Sequence, residues 1–155
     1  MDATRNVMVF IEMRASAVAD VSIELLCEAN RLAARLGGRV EAVAVGHGIE
    51  AQLAALGQYG CTAVSYTDDQ RLARFTSVPY AKTVAQVIRE RRPAVVLFGA
   101  TTTGRDIAPR VASELQCGLT ADCTALEIGE ATIKDKTYQD TLQQIRPAFG
   151  GNIIA

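Results

Sequence analysis

The sequence has few of the side chains that mark a catalytic or stacking site. It contains no Trp, aromatic residues make up only 5% of it, and its single histidine is His47. Scarce aromatics disfavour a site that stacks bases or sugars. One histidine excludes a metal centre with several histidine ligands and a pair of histidine acid–base groups. The 16 Lys and Arg residues nearly balance 17 Asp and Glu residues, giving a net charge of −1, so charge favours neither nucleic acid nor an anionic membrane as a partner.

Several functional motifs are also absent. The turn after the first β-like segment lacks G-x-G-x-x-G, which excludes a dinucleotide-binding Rossmann unit, and G-x-S-x-G is missing. The cysteines form no C-x-x-C pair and no zinc spacing, and we interpret them as buried, reduced structural thiols. They are Cys27, Cys61, Cys117 and Cys123. The sequence thus predicts no metal site and no catalytic residues, and we expect a protein that is not an enzyme.

The apolar runs are all short. The longest, Ala94–Ala100, is far below the roughly 20 residues that cross a bilayer. Near the N-terminus Glu12 ends the run Val7–Ile11, which is too short for a signal peptide. We therefore predict a cytoplasmic protein without membrane insertion.

What the sequence does contain is a regular alternation of β-like and helical segments over residues 1–115. Repeated β–α units of this length predict a parallel sheet with helices on both faces, which is a three-layer α/β fold. The predicted strands are Asn6–Glu12, Arg39–Val45, Cys61–Tyr66 and Ala94–Gly99. The predicted helices are Val18–Leu36, Ile49–Leu56, a helix capped by Ser77 and ended by Pro93, and Gly104–Leu115.

The remaining residues predict antiparallel strands, as hairpins or a meander added to the main sheet. These strands are Ala125–Ile128, Thr132–Tyr138, Leu142–Pro147 and Asn152–Ala155, separated by Gly129-Glu130, Gln139-Asp140 and Gly150-Gly151. The chain stops on the apolar run Ile153-Ile154-Ala155, whereas natural termini are usually polar. We therefore interpret residues 1–155 as a single N-terminal domain of a longer chain.

The most suggestive segment is the loop Gly99–Asp106, between the last parallel strand and its helix. Open α/β sheets bind ligands at this end of a strand, and helix amides, hydroxyl groups and a guanidinium suit an anion or a nucleotide phosphate. The candidate residues are Thr101, Thr102, Thr103, Gly104 and Arg105. The spacing is that of a P-loop, but Arg105-Asp106 replaces the Lys-Ser/Thr pair. A structural interpretation stays open, in which the threonines cap the helix and Arg105 pairs with Asp106 or Asp122.

Two other polar segments point to turns rather than chemistry. Gly46-His47-Gly48 follows the second predicted strand and is expected to rim the same crevice. Asp68-Asp69 is expected to be a solvated turn. A lone histidine beside glycines, without a nucleophile placed by a motif, does not predict acid–base catalysis.

Three stretches resemble one known family. Leu97–Ala112, Gly118–Cys123 and Arg146–Asn152 are similar to the N-terminal domain of the electron transfer flavoprotein α-subunit, the last one to its R-P-A-[FY]-G-G-N segment. The resemblance spans essentially the whole chain. It implies an adenine-nucleotide α-hydrolase-like fold with added antiparallel strands near the C-terminus.

The resemblance also implies a function. Proteins of this family are αβ heterodimers that carry electrons from flavin dehydrogenases, such as the acyl-CoA dehydrogenases of fatty acid oxidation, to a downstream acceptor. Their FAD lies mainly in a C-terminal domain that is missing from this sequence, so no FAD-binding position carries over. We expect FAD in the full-length complex and not on this chain alone. The chain is then expected to be a non-catalytic scaffold that contacts the β-subunit.

Within these motifs the resemblance implies structural or interface roles for Gly104, Arg105, Asp106, Pro109 and Arg110, with Asp122 as a partner for one arginine. Arg146, Gly150 and Gly151 are expected to shape the exit towards the FAD domain. The alternative hypothesis is a stand-alone nucleotide-binding module resembling universal stress proteins. The phosphate loop typical of that class, G-x-x-G-(x)n-G-[ST], is not found near Gly99.

Overall fold

The fold is built on a buried first strand. Five consecutive apolar residues, Val7–Ile11, suit a strand that is covered on both faces, and none of them is more than 2% exposed. The structure is a computed structural model that describes residues 4–14, 17–148 and 151–154, with only the backbone described for 147–148 and 151–154. It confirms the predicted parallel sheet with helices on both faces.

In chain order the strands are β1 (Val7–Ile11), β2 (Met13–Arg14), β3 (Ala17–Val18), β4 (Val40–Gly46), β5 (Cys61–Asp68), β6 (Val95–Leu97), β7 (Ala125–Ile133), β8 (Lys136–Ala148) and β9 (Gly151–Ile154). The helices are α1 (Asp20–Leu36), α2 (Glu50–Leu53), α3 (Ser77–Arg91) and α4 (Thr102–Leu115), with 3-10 turns over Ala54–Tyr59 and Gln70–Leu72.

The parallel strands lie in the order β5-β4-β1-β6. β1 pairs with β4 on one side and with β6 on the other. The chain therefore moves outward from β1 through β4 to β5, and then crosses back to β6. Strand order reverses between β1 and β6, and ligands of open parallel sheets bind outside the carboxyl ends of the strands at such a switch point.

Alternate residues of β1 contribute to two separate cores, because successive side chains of a strand point to opposite faces. One face packs against α1 and the other against α3 and α4. The first core includes Val7, Val9, Ile11, Leu26, Ala29 and Leu32. The second includes Met8, Phe10, Val84, Ile88, Ile107 and Val111.

The C-terminal strands form a separate sheet, in the order β7-β8-β9, rather than an addition to the main sheet. The predicted breaks at Gly129-Glu130 and Gln139-Asp140 were wrong, because β7 and β8 continue through both and turn at Lys134-Asp135. The register shifts between Gly129 and Ala131, and the polar pairs mark a bulge in the ladder rather than two turns. Ala155, the predicted end of the last strand, lies outside the described residues.

Some helix boundaries also differ from the prediction. α1 begins at Asp20 because Val18 pairs with Met13 in a short antiparallel ladder. The predicted helix Ile49–Leu56 divides into α2 and a 3-10 turn. Thr76, not Ser77, is the N-cap of α3, and Ser77 is its first helical residue.

The prediction that all cysteines are buried was wrong. Cys27 and Cys117 are exposed, and Cys61 and Cys123 are partly buried. Burial raises the pKa of the Cys61 thiol above its usual value, which keeps it protonated and weakly reactive.

Candidate functional site

The loop between β6 and α4 lies at the carboxyl end of the sheet, beside the switch point. Thr101 is the N-cap of α4, and its Oγ1 accepts a hydrogen bond of 3.0 Å from the N–H of Gly104. Gly104 is glycine for a steric reason, since a Cβ there would lie 1.9 Å from the carbonyl oxygen of Gly99. The loop is therefore folded tightly onto the first turn of its own helix.

A buried carboxylate faces this helix start. Glu12 directly follows β1 and is only 6% exposed. The hydroxyl of Thr101 lies 2.7 and 2.8 Å from the two carboxylate oxygens of Glu12 and donates to them. The backbone N–H of Glu12 donates to Ser22 Oγ at 2.9 Å, and its carbonyl accepts from the N–H of Ala19 at 2.9 Å. The carboxylate thus bridges the ends of β1 and β6 across the switch point.

The charged residues in the first turn of α4 pair with other side chains of the chain. Arg105 forms an ion pair of 2.9 Å with Asp122, and both side chains are more than half exposed. Asp106 accepts a hydrogen bond from the hydroxyl of Ser77 and one of 2.9 Å from Arg110 Nε. The Ser77 hydroxyl, and next the Arg110 guanidinium, lower the pKa of the Asp106 carboxyl below its usual value.

The remaining predicted loop residues are less constrained. Thr102 is exposed and Thr103 is half-buried. The structure therefore places the five predicted ligand residues at the N-cap and first turn of α4, which begins at Thr102 and not at the predicted Gly104. Two of them, Thr101 and Arg105, are tied to carboxylates of the chain.

A cavity of ≈ 360 Å³ opens beside the loop. Its lining is contributed by α1, β6, the loop after β6, α4, the segment after α4 and the hairpin of β7 and β8. The lining residues include Val21, Gly99, Arg105, Leu119 and Leu142. Apolar side chains dominate this list, so the cavity suits an apolar group better than a polyanion.

A second carboxylate, that of Asp68, lies at the carboxyl end of β5, along the same edge of the sheet. Asp68 ends β5, and its oxygens accept hydrogen bonds of 2.9 Å from the N–H of Gly48 and 3.2 Å from the N–H of Ile49. His47 Nδ1 lies 3.0 Å from Asp68 Oδ1. The Gly48 N–H bond is the main cause that lowers the pKa of Asp68. The predicted solvated turn at Asp68 is in fact an anion cap for the amides that precede α2.

The adjacent Asp69 makes a similar cap for a smaller element. Its side chain accepts from the N–H of Arg71 at 2.9 Å at the start of a 3-10 turn, and pairs with the Arg71 guanidinium at 2.7 Å. The Arg71 side chain lowers the pKa of Asp69 to about 2.

The last predicted site residues lie on β8 and β9 or outside the described residues. Arg146 is exposed on β8, where its backbone pairs with Ile153. Gly151 begins β9 and pairs with Ala148, and Gly150 lies outside the described residues. Their predicted role at an exit towards another domain stays a prediction.

Sequence reasoning missed Glu12, although a signal was present. A charged residue directly after five apolar strand residues lies at the carboxyl end of a central parallel strand, where site residues collect.

Nowhere in residues 4–14, 17–148 and 151–154 do three or more His, Cys, Asp or Glu side chains form a group that could hold a metal ion. Among the helices of these residues, none combines the length and apolar character that a membrane span needs.

Comparison with known proteins shows the family. The model of the electron transfer flavoprotein domain matches residues 7–155 of the chain. The chain belongs to the electron transfer flavoprotein family. The resemblance noted from its sequence motifs is therefore confirmed.

Three relatives are similar over 97–100% of the chain. Electron transfer flavoprotein subunit alpha of Thermoanaerobacterium thermosaccharolyticum is 41% identical over 155 residues, which cover 100% of this chain and 44% of that protein. The subunit of the same name from Clostridium acetobutylicum is 41% identical, covering 97% and 43%. Lactate dehydrogenase (NAD(+),ferredoxin) subunit LctC of Acetobacterium woodii is 40% identical, covering 97% and 34%. The chain thus spans less than half the length of these curated relatives.

Proposed function

We propose that this chain is a scaffold domain of an electron transfer flavoprotein α-subunit and that it contacts the β-subunit. The observation that carries the proposal is the match of residues 7–155 to the family, together with 41% identity to proteins named as alpha subunits. In this function the chain does no chemistry of its own. It holds the flavin-bearing part and the partner subunit in place while electrons pass from a flavin dehydrogenase, such as an acyl-CoA dehydrogenase, to a downstream acceptor.

The contacts of the first turn of α4 favour a structural role over a catalytic one. Arg105 and Asp122 join the start of α4 to the segment that leads into β7. Asp106 joins α4 to the first residue of α3 through Ser77. Side chains that hold elements of the chain to one another suit a scaffold, because a preorganised surface loses less conformational entropy when its partner binds.

FAD does not fit the described residues at the carboxyl edge of the sheet. A dinucleotide places its diphosphate against helix N-terminal amides. At this edge Glu12 already faces the start of α4, and Asp68 already accepts from the amides that precede α2. Carboxylates at these positions would repel the diphosphate, so we place FAD on other parts of the full-length complex.

Co-purification with a β-subunit tests the proposal. Co-expressed with an electron transfer flavoprotein β-subunit, the chain is expected to co-elute with it in size-exclusion chromatography. Arg110→Glu, at an exposed cation for which an interface role is predicted, should weaken this association, whereas Lys82→Glu, at an exposed cation on α3, should not. The chain alone should be colourless.

Two results would contradict the proposal. One is stoichiometric yellow flavin on the chain purified alone. The other is a folded chain that never associates with the β-subunit. Tight AMP binding that Arg105→Ala abolishes would instead favour the nucleotide-binding module.

A further inference from the structure

The amino edge of the parallel sheet carries a group of exposed arginines. Because the strands are parallel, their amino ends meet at one edge, together with the C-termini of the helices that lead into them. Arginines lie just before β1 and β4 and at the ends of α1 and α3, and all of them are exposed. We call this group the amino-edge patch, and it consists of Arg5, Arg35, Arg39, Arg91 and Arg92.

Hydrogen bonds fasten the elements that carry the patch to one another. Arg5 Nη1 donates to the carbonyl of Leu36, the last residue of α1, at 3.1 Å. The N–H of Thr4 donates to the carbonyl of Arg92, at the end of α3, at 2.8 Å. Arg39 directly precedes β4, which pairs with β1. The arginines therefore share one surface whose shape is fixed by the fold.

Two arginines of the patch have no acidic partner. In the part of the chain that the structure describes, neither Arg35 nor Arg39 forms an ion pair. Arg35 lies in the last turn of α1, where a cation complements the helix dipole, but Arg39 lies outside every helix. Since the whole chain has a net charge of −1, its charge is distributed unevenly, with positive charge gathered at this edge.

The patch already accepts carboxylates from other elements of the chain. Arg5 pairs with Asp140 of β8 at 3.6 Å, although β8 belongs to the separate antiparallel sheet. Arg91 Nε lies 4.0 Å from a carboxylate oxygen of Glu41, whose side chain is only 12% exposed. A planar guanidinium matches a carboxylate in shape and can bind it with two parallel hydrogen bonds. Carboxylate groups are thus the ligands that this surface takes.

We propose that the amino-edge patch is a docking surface for an acidic segment of a partner protein. Arg35 and Arg39 supply guanidinium groups for its carboxylates, and the other arginines add to the positive potential that steers it. A nucleic acid or an anionic membrane presents its charge over a wider area, and the negative remainder of this chain would repel it. The patch lies at the edge opposite the start of α4, so this inference does not rest on the β-subunit contact proposed above.

The test measures binding of a peptide of alternating Glu and Gly residues to the chain by calorimetry at low ionic strength. Arg35→Glu/Arg39→Glu is the test variant. Arg74→Glu/Lys82→Glu is the matched control, because it removes the same charge from two exposed cations outside the patch. Arg35→Gln/Arg39→Gln is a milder second variant, and circular dichroism checks that each protein is folded. NMR of the backbone amides locates the bound peptide.

The expected result is salt-dependent binding at the patch. The peptide should bind the wild-type chain with an affinity that falls as salt is added, and the amide resonances around Arg35 and Arg39 should shift. Arg35→Glu/Arg39→Glu should bind at least about tenfold more weakly, and Arg35→Gln/Arg39→Gln should show a smaller loss. The control with substitutions at Arg74 and Lys82 should stay close to wild type.

Three results would overturn the proposal. The first is no binding of the peptide to the wild-type chain at low ionic strength. The second is an equal loss of affinity in the test and control variants, which would mean that only net charge matters. The third is tighter binding of a DNA duplex or of phosphatidylserine vesicles than of the peptide at the same ionic strength, which would assign the patch to another class of partner. None of these results bears on co-elution with a β-subunit.

Discussion

The parallel-sheet body and the antiparallel sheet of β7, β8 and β9 differ in how they are stabilised. In β1 every side chain is at most 2% exposed, and apolar clusters cover both faces. In β7 no residue is fully buried, and the hairpin exposes Ile133 by 59% and Tyr138 by 49%. The body is held by burial of apolar surface, whereas the antiparallel sheet relies mainly on its own backbone ladder.

The junction between the two regions is narrow. Only Leu126, Ile128 and Leu142 of the described antiparallel sheet pack against the core cluster on the α1 side. Arg31 of α1 adds a hydrogen bond to the carbonyl of Leu126. Cavities of ≈ 360 and ≈ 640 Å³ open at this junction, and Leu142 lines both. Loosely packed junctions open at a lower free energy than a core, so the two regions should respond differently to mutation.

The largest difference is expected from removing a large side chain in each region. Phe10 is 2% exposed and packs against Phe98, with ring centroids 5.5 Å apart. Phe10→Ala should lower the free energy of unfolding by about 3–5 kcal/mol, because it leaves a cavity in the core. Tyr138→Ala, in the hairpin, should change it by less than about 0.5 kcal/mol. Urea denaturation followed by circular dichroism measures both, and equal losses would contradict the comparison.

The next largest difference in stability is expected between alanine substitutions at Gly104 and at Gly118. A Cβ at Gly104 would lie 1.9 Å from the carbonyl oxygen of Gly99, whereas a Cβ at Gly118, between the two regions, meets nothing within 4 Å. Gly104→Ala should therefore cost about 1–3 kcal/mol through forced backbone movement. Gly118→Ala should stay within about 0.5 kcal/mol of wild type. Thermal unfolding of the two variants is the measurement, and a neutral Gly104→Ala would show that the loop is not close-packed.

The junction itself is tested by Leu142→Ala. Because Leu142 is only partly buried, the loss of stability should be about 1 kcal/mol. Hydrogen exchange should become faster in β7 and β8 while the amides of β1 keep their protection. Ile133→Ala, at the exposed end of β7, is the control and should change neither. Faster exchange in β1 would mean that the two regions unfold as one unit.

The smallest expected effect is a pH dependence at Asp68. Hydrogen bonds from the N–H of Gly48, and then from His47, lower the pKa of Asp68 below its usual 3.8. A carboxylate whose pKa is lower in the folded state stabilises it above pH 3.8, and this contribution is lost as the pH falls through the folded pKa. Asp68→Asn should therefore be less stable than wild type near neutral pH, with the difference disappearing on acidification.

Denaturation of both proteins from neutral pH to about pH 2 measures this difference. Tyr138→Ala, which changes no carboxylate, controls for a general effect of acid on a variant. A difference between Asp68→Asn and wild type that stays constant with pH would show that the Asp68 charge is not responsible.

The errors in the sequence analysis lie where local signals were ambiguous. Gly129-Glu130 and Gln139-Asp140 have the composition of turns, yet pairing across the ladder makes them a bulge. Cys27 lies within an apolar pattern, but the helix turns it towards solvent. In the hairpin, pairing between β7 and β8 outweighed the turn-like composition. In α1, the face that packs into the core includes Leu26 and Ala29 and leaves Cys27 exposed.

The sequence by itself determined the repeated β–α order, the family and the position of the loop before α4, because each depends on residues that are close together along the chain. Only the tertiary structure decided what that loop does. Glu12 and Thr101 are 89 residues apart, and they meet because the chain crosses back from β5 to place β6 beside β1. The sequence left Asp106 and Asp122 as possible partners of Arg105. The path of the segment after α4 brings Asp122 to it. Pairing over such distances is fixed by sheet order and packing, which no local pattern of residues encodes.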